Sequence, residues 1–207
     1  MIETEWGAVK LPLSYDARKL ANEVGSIADS EWGINGRTAA AFANTQAVFI
    51  RGYAAAEGNP SKEDREILSK LPYIKELIYS LVPSTPQNCV LSYMPPKTEV
   101  GLHIDQGEYF KDTLRIHFPV ITNNKVTMYF NGSYHMKPGE VWMLNNCAPH
   151  GVENAHKTKP RIHLICDYLP SKELIELFNQ SDKTLGTPSQ KLYDQLLVKT
   201  QKNMPKK

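Results

Sequence analysis

The sequence predicts a mostly β fold, a sandwich or barrel, with helices flanking it on both sides. Between Asn88 and Pro170 a series of short β-type runs is separated by Pro, Gly and Asn turn residues. Several of these runs alternate apolar and polar side chains. The stretches before and after them carry the three- and four-residue spacing of helices.

The 207 residues, 41% hydrophobic and 22% charged, fit one globular domain. We divide it into a helical and strand lead-in (1–87), a β core (88–170) and C-terminal helices (171–207). Lys+Arg 24 against Asp+Glu 22 leaves a formal charge of +2, too small a field to hold nucleic acid or an anionic membrane. The longest apolar stretches, such as residues 39–43, fall far short of the roughly 20 residues that span a bilayer. Met1-Ile2-Glu3 is not a basic signal-peptide start, so a cytoplasmic location is expected. Three cysteines without a CxxC pair disfavour a disulfide framework and a zinc ribbon, and each is expected to be a small buried side chain.

In the lead-in, Ser14-Tyr15-Asp16 reads as a cap before a helix with Ala17, Leu20, Ala21, Val24 and Ala28 on one face, stopping near Trp32-Gly33. A short strand is expected from Gln46 to Tyr53, on the β propensity of Val48, Phe49 and Ile50. A loop at Gly58-Asn59-Pro60 precedes a helix capped by Ser61 and packing through Ile67 to Leu81, which Pro72 kinks or divides. The expected core strands are Cys89–Met94, Val100–Asp105, Thr113–Ile121, Lys125–Phe130, Glu140–Leu144 and Pro160–Tyr168. Beyond Pro170, helical spacing returns at Leu174, Ile175, Leu177 and Phe178, and again from Leu192 to Val198.

Gly101-Leu102-His103-Ile104-Asp105 is the most informative segment. On a strand, His103 and Asp105 share one face and Leu102 and Ile104 the other. His150, after the turn-rich Asn145-Asn146-Cys147-Ala148-Pro149, is the natural third partner. Two histidines and one carboxylate with open positions form the facial triad of non-haem Fe(II) oxygenases, whereas a closed zinc site needs a fourth ligand that the sequence does not offer. Taken alone, His103-Ile104-Asp105 is too short a pattern to favour a metal site, and it reads first as an ordinary hydrogen-bonded pair.

Two further strands bear on the choice. Arg115 and His117 lie opposite Leu114, Ile116, Phe118 and Val120, and Arg161 and His163 lie opposite Ile162, Leu164 and Cys166. Taken one at a time, each reads first as a half-exposed strand with a solvated polar face. A barrel that turns His103 and Asp105 inward turns these pairs inward too, and buried guanidinium groups require anions. A small dicarboxylate that chelates a metal at one end and meets an arginine at the other satisfies both demands, with Arg161 as the clamp. Arg37 and Arg51 read as solvated surface residues ahead of grips for a substrate carboxylate, and Trp142 as core.

These motifs, together with Leu91-Ser92-Tyr93, Leu114-Arg115-Ile116-His117, the run from Gly139 to Asn146 leading into Pro149-His150, and Arg161-Ile162-His163-Leu164, resemble the aspartyl/asparaginyl β-hydroxylase family. That family of Fe(II)- and 2-oxoglutarate-dependent oxygenases includes bacterial proline hydroxylases. The resemblance covers about Cys89 to Pro170. It implies a double-stranded β-helix, the cupin-like jelly-roll barrel, with iron held by His103, Asp105 and His150. It also implies 2-oxoglutarate as cosubstrate and O2 as oxidant, with Ser92 and Arg161 receiving the distal carboxylate. Arg115 and His117 would lie near the metal-bound end of the cosubstrate or near a substrate carboxylate.

Asp105 is a departure, since the animal aspartyl hydroxylases lack the metal carboxylate. Its presence points to the bacterial small-molecule members and argues against halogenation. The implied activity is hydroxylation of an unactivated C–H bond in a free, proline-like amino acid or small amino-acid derivative. The rivals are a peptidyl aspartyl/asparaginyl β-hydroxylase and a non-catalytic cupin-like metal-binding protein. A homodimer is compatible with the sequence.

Overall fold

The computed structural model describes residues 6–34, 45–53 and 62–203. The loop at 58–60, the cap at Ser61 and Arg37 lie outside these residues.

The lead-in begins with a strand that the sequence did not announce, β1 (Ala8–Ser14), with Pro12 at one of its exposed positions. Proline is tolerated because β1 is an edge strand, and the pairing register slips there, between Leu11 and Ser14. Helix α1 (Ala17–Gly25) is capped by the Asp16 carboxylate, which accepts from the backbone N–H groups of Arg18 and Lys19. It ends earlier than its apolar spacing suggests, where the Ser26 hydroxyl and N–H both bond back to Glu23 O. Strands β2 (Gly33–Ile34) and β3 (Gln46–Arg51) follow. The expected division at Pro72 is present. A 3-10 turn over Glu66–Lys70 leads to α2 (Pro72–Glu76), with proline at its first turn, and a π turn over Leu77–Leu81 completes the segment.

The core strands are β4 (Pro86–Met94), β5 (Thr98–His103), β6 (Leu114–Ile121), β7 (Val126–Phe130), β8 (Ser133–Tyr134), β9 (Glu140–Leu144), β10 (His150–Asn154) and β11 (Arg161–Tyr168). A one-turn helix, α3 (Glu108–Lys111), sits between β5 and β6, and α4 (Lys172–Gln180) and α5 (Gln190–Asn203) close the chain. One sheet runs β1-β9-β6-β11-β4-β3-β2 and the other β5-β10-β7-β8, all neighbours antiparallel. From β4 to β11 the chain passes back and forth between the sheets. This winding makes the fold a double-stranded β-helix, the jelly-roll barrel expected from the sequence. The lead-in belongs to the same sheet, because β1 pairs with β9 and β3 with β4.

Both faces of the larger sheet are covered. Ile116, Phe118, Leu164, Cys166 and Tyr168 pack outward against α1, α2 and α4 through Leu20, Val24, Ile74, Leu174 and Phe178. On the inner face, Ala8, Met94, Trp142 and Leu144 meet Val100, Met128, Phe130 and Val152 of the smaller sheet. Trp142 is core, as expected, and its indole N–H donates to Glu140 at 3.0 Å. The outer face of the smaller sheet is covered by α5, through Leu192 and Leu196 against Leu102. Cys89 and Cys166 are buried as expected. Cys147 is exposed, because it lies on the turn before β10 rather than in a strand. Among the described residues no helix is long and apolar enough to cross a membrane.

Candidate metal centre

His103 is the last residue of β5 and His150 the first of β10, and the two are register partners. Their ring centroids are 4.1 Å apart. Asp105 lies beyond the end of β5 rather than inside a longer strand. Its backbone N–H is nevertheless captured by Asn146 O at 3.0 Å, which keeps the carboxylate beside His103, 3.7 Å from Nε2 to Oδ1. One ligand atom from each of His103, Asp105 and His150 lies within 4.8 Å of the others, so the three could hold a metal ion.

The backbone also sets the imidazole tautomers. His103 Nδ1–H donates to Gly101 O and His150 Nδ1–H to Ala148 O, each at 2.9 Å. A carbonyl can only accept, so Nε2 is the nitrogen of each ring whose lone pair could face a metal. Burial, and then the neighbouring His103, push the pKa of His150 down to about 3, so this imidazole is neutral as a ligand must be. The Phe130 ring stacks on it at 5.1 Å.

The two arginine–histidine strands turn inward, as the barrel reading expects: Arg115, His117, Arg161 and His163 are all buried. Ser92, His103, Arg115, His117, His150 and Arg161 line one pocket between the sheets, with apolar walls from Met94, Val100, Met128 and Phe130. Their environments differ. The guanidinium of Arg161 has the Met128 sulfur at 3.6 Å, and its Nε has no partner. Burial pushes its pKa down to about 9. Arg115, by contrast, grips Asp167 with two bonds, Nε to Oδ1 at 2.8 Å and Nη2 to Oδ2 at 3.1 Å, and also donates from Nη1 to Asp105 Oδ2. Burial works against its charge, but Asp167 and Asp105 outweigh it and hold the pKa above the ordinary value.

His117 Nδ1 lies 3.2 Å from His163 Nδ1, and His163 Nε2 is buried without a partner. Burial, with Arg161 and His117 adding, holds His163 well below the usual imidazole range. Arg51 is half-buried rather than solvated, and its guanidinium is occupied by Asp64, Tyr79 and the Pro86 carbonyl.

Sequence reasoning missed Asp167 and Asn146 as parts of this site. Asp167 extends the inward alternation Arg161, His163, Ile165 on β11 and could have been found by following it. Asn146 carries no such signal, since it lies in a turn whose path only the fold sets. A cleft bordered by Tyr53, Asn88, Tyr109, Phe110 and Asp167 adjoins the pocket and shares Arg115 with it.

Among solved structures the chain is similar to an oxidoreductase of the 2OG-Fe(II) oxygenase family from Burkholderia pseudomallei, at 13% identity over 87% of this chain and 86% of that one, with a TM-score of 0.48. It is similar to a Pseudomonas putida prolyl-4-hydroxylase, at 14% identity over 80% of this chain and 94% of that one, TM-score 0.47. It is also similar to the viral collagen prolyl hydroxylase of Paramecium Bursaria Chlorella virus-1 in its 2OG complex, at 8% identity over 81% and 98%, TM-score 0.48. Comparison with curated protein sequences finds no match. The family model described as Aspartyl/Asparaginyl beta-hydroxylase matches residues 31–170, which span the pocket and all three candidate metal ligands. The chain therefore belongs to the aspartyl/asparaginyl β-hydroxylase family.

Proposed function

We propose that the chain is a cytoplasmic Fe(II)- and 2-oxoglutarate-dependent dioxygenase. It would act as one oxygenase domain over residues 1–207 and hydroxylate a free, proline-like amino acid or a small amino-acid derivative. Family membership and the histidine–aspartate–histidine face support the metal. The observation that carries the cosubstrate is Arg161, a buried guanidinium whose Nε has no partner, aimed into the pocket that the metal face also lines. Isolated, such a charge costs several kcal/mol of desolvation. A dicarboxylate answers that cost.

In this reading the residues present fit the group. His103, Asp105 and His150 would hold the iron, a set of three ligands that leaves room for the cosubstrate and O2. Arg161 and Ser92 would take the far carboxylate, and His117 would lie near the metal-bound end of the cosubstrate or near a substrate carboxylate. When bound, the iron supplies the oxidative decarboxylation of 2-oxoglutarate to succinate that drives C–H hydroxylation. The protein orients the reacting bond and, through Met94, Val100, Met128 and Phe130, keeps water from the pocket.

Anaerobic addition of Fe(II) and 2-oxoglutarate should produce the weak visible charge-transfer band of the chelate. Folded, metal-loaded protein without that band would be a non-catalytic binding protein. Succinate release in air, across a panel of free amino acids and of aspartyl and asparaginyl peptides, tests the substrate class, and stimulation by peptides alone would reject the free amino acid. His103→Ala and Asp105→Ala should keep the fold and lose succinate release.

A further inference from the structure

The two oxygens of Asp105 meet different surroundings. Oδ1 is the one facing His103 Nε2, at 3.7 Å. Oδ2 accepts from Arg115 Nη1 and from Asn146 Nδ2, the latter at 3.3 Å. Arg115 is itself fixed from behind, because Asp167 takes Nε at 2.8 Å and Nη2 at 3.1 Å. The Tyr109 hydroxyl donates to Asp167 Oδ2 at 3.0 Å, and the Phe110 ring lies 5.3 Å from the Arg115 guanidinium carbon. Arg115 and Asp167 are only 5% and 4% exposed, so little competing water reaches the pair. A guanidinium is planar with donors in fixed directions, and a bidentate grip on one edge therefore dictates where the remaining Nη1 points.

We propose that Asp167 and Arg115 are positioning residues for the metal centre: together with Asn146 they hold Oδ2 of Asp105 and commit that carboxylate to bind the metal through Oδ1 alone. The inference rests on the metal-centre reading above. It assigns the Arg115 guanidinium to a metal ligand rather than to a carboxylate of the cosubstrate or substrate. It also gives Asp167 a reason to be buried on the inner face, since without it Arg115 would be a loose cation beside the metal.

The test is Mn(II) binding to the metal-free protein, read by electron paramagnetic resonance without 2-oxoglutarate, followed by 2-oxoglutarate affinity at saturating metal. Asp167→Asn and Arg115→Gln should each weaken Mn(II) about 10- to 100-fold, the range for lost partners of metal ligands. Arg115→Gln is the discriminating variant. Charge alone predicts tighter metal binding once a nearby cation is gone, whereas loss of the hold on Oδ2 predicts weaker binding. Arg115→Lys should recover part of the loss.

If removing one member of the Arg115–Asp167 pair prevents folding, Asn146→Ala keeps the pair intact, changes no charge, and should still weaken Mn(II) and alter the spectrum. Unchanged or tighter metal binding in Arg115→Gln, with 2-oxoglutarate affinity lost, would overturn the assignment and make Arg115 a cosubstrate clamp. Wild-type metal affinity and spectrum in Asn146→Ala would overturn it as well. Wild-type protein that takes up no Mn(II) would instead reject the metal centre itself.

Discussion

His103 and His150 face each other in register across the β5–β10 ladder, their ring centroids 4.1 Å apart and each Nδ1–H tied to the carbonyl two residues before it. Both Nε2 atoms are thereby presented from neighbouring strands of one sheet. A metal bound between them would cross-link those strands in the folded state only. Mn(II), or Fe(II) without oxygen, at about 100 times its Kd should stabilise the protein by about 2.7 kcal/mol. Thermal unfolding should show the shift, chelator should reverse it, and His103→Ala should remove it.

Arg161 is charged, buried and next to a thioether rather than an anion. Replacing such a charge with an apolar side chain of similar length is often stabilising. Arg161→Met should raise ligand-free stability by about 1 to 2 kcal/mol, seen as about 2 to 8 °C in Tm. The same variant should lose the stabilisation that 2-oxoglutarate gives the wild type. A variant that still responds to the dicarboxylate would place its binding elsewhere.

The buried imidazoles make the metal-free protein acid-sensitive. His150 is pushed down to about 3 from 6.5, and His163 lies well below 6.5, burial being the first cause for both. Below the unfolded value the unfolded chain binds protons that the folded chain refuses, so stability falls as the pH drops. Both contributions should be full above about pH 6.5 and decline below it, that of His150 toward pH 3. Denaturant titrations across that window should show the decline, and His163→Leu should flatten part of it.

Helix α5 presses directly on the strands that carry the histidines. A Cβ on Gly101 would lie 2.4 Å from Thr200 Oγ1 and 3.0 Å from its backbone nitrogen, while the Thr200 hydroxyl donates to Leu102 O at 2.7 Å. Gly101 O also accepts from His103. Gly101→Ala should therefore displace α5 or β5 and cost about 1 to 3 kcal/mol, the range for overpacking. Mn(II) affinity should fall with it. Unfolding curves and metal titration on the same sample check both effects.

Most of the candidate site was legible because strand geometry has period two. The alternation of Arg115 and His117 against Ile116 and Phe118, and of Arg161 and His163 against Ile162 and Leu164, already separates two faces. Where a proline intervened or the partner was distant, legibility ended. Pro12 hid β1, an edge strand that tolerates it, and Asp105 lies past the end of β5, held by a turn residue 41 positions away.

The sequence by itself determined the β core, the division at Pro72, and the residue types able to hold a metal and a dicarboxylate. It could not say that both faces of the larger sheet would be buried, because alternation shows which side chains share a face and not what covers it. Tertiary structure decided that the polar face lies inside. By closing two sheets on one another it left Arg161 buried with its Nε unsatisfied, while Arg115 met carboxylates 10 and 52 residues away. The physical reason is that in a low-dielectric interior the energy of a charge depends above all on whether a partner is present. Partners from distant strands meet only once the barrel is wound.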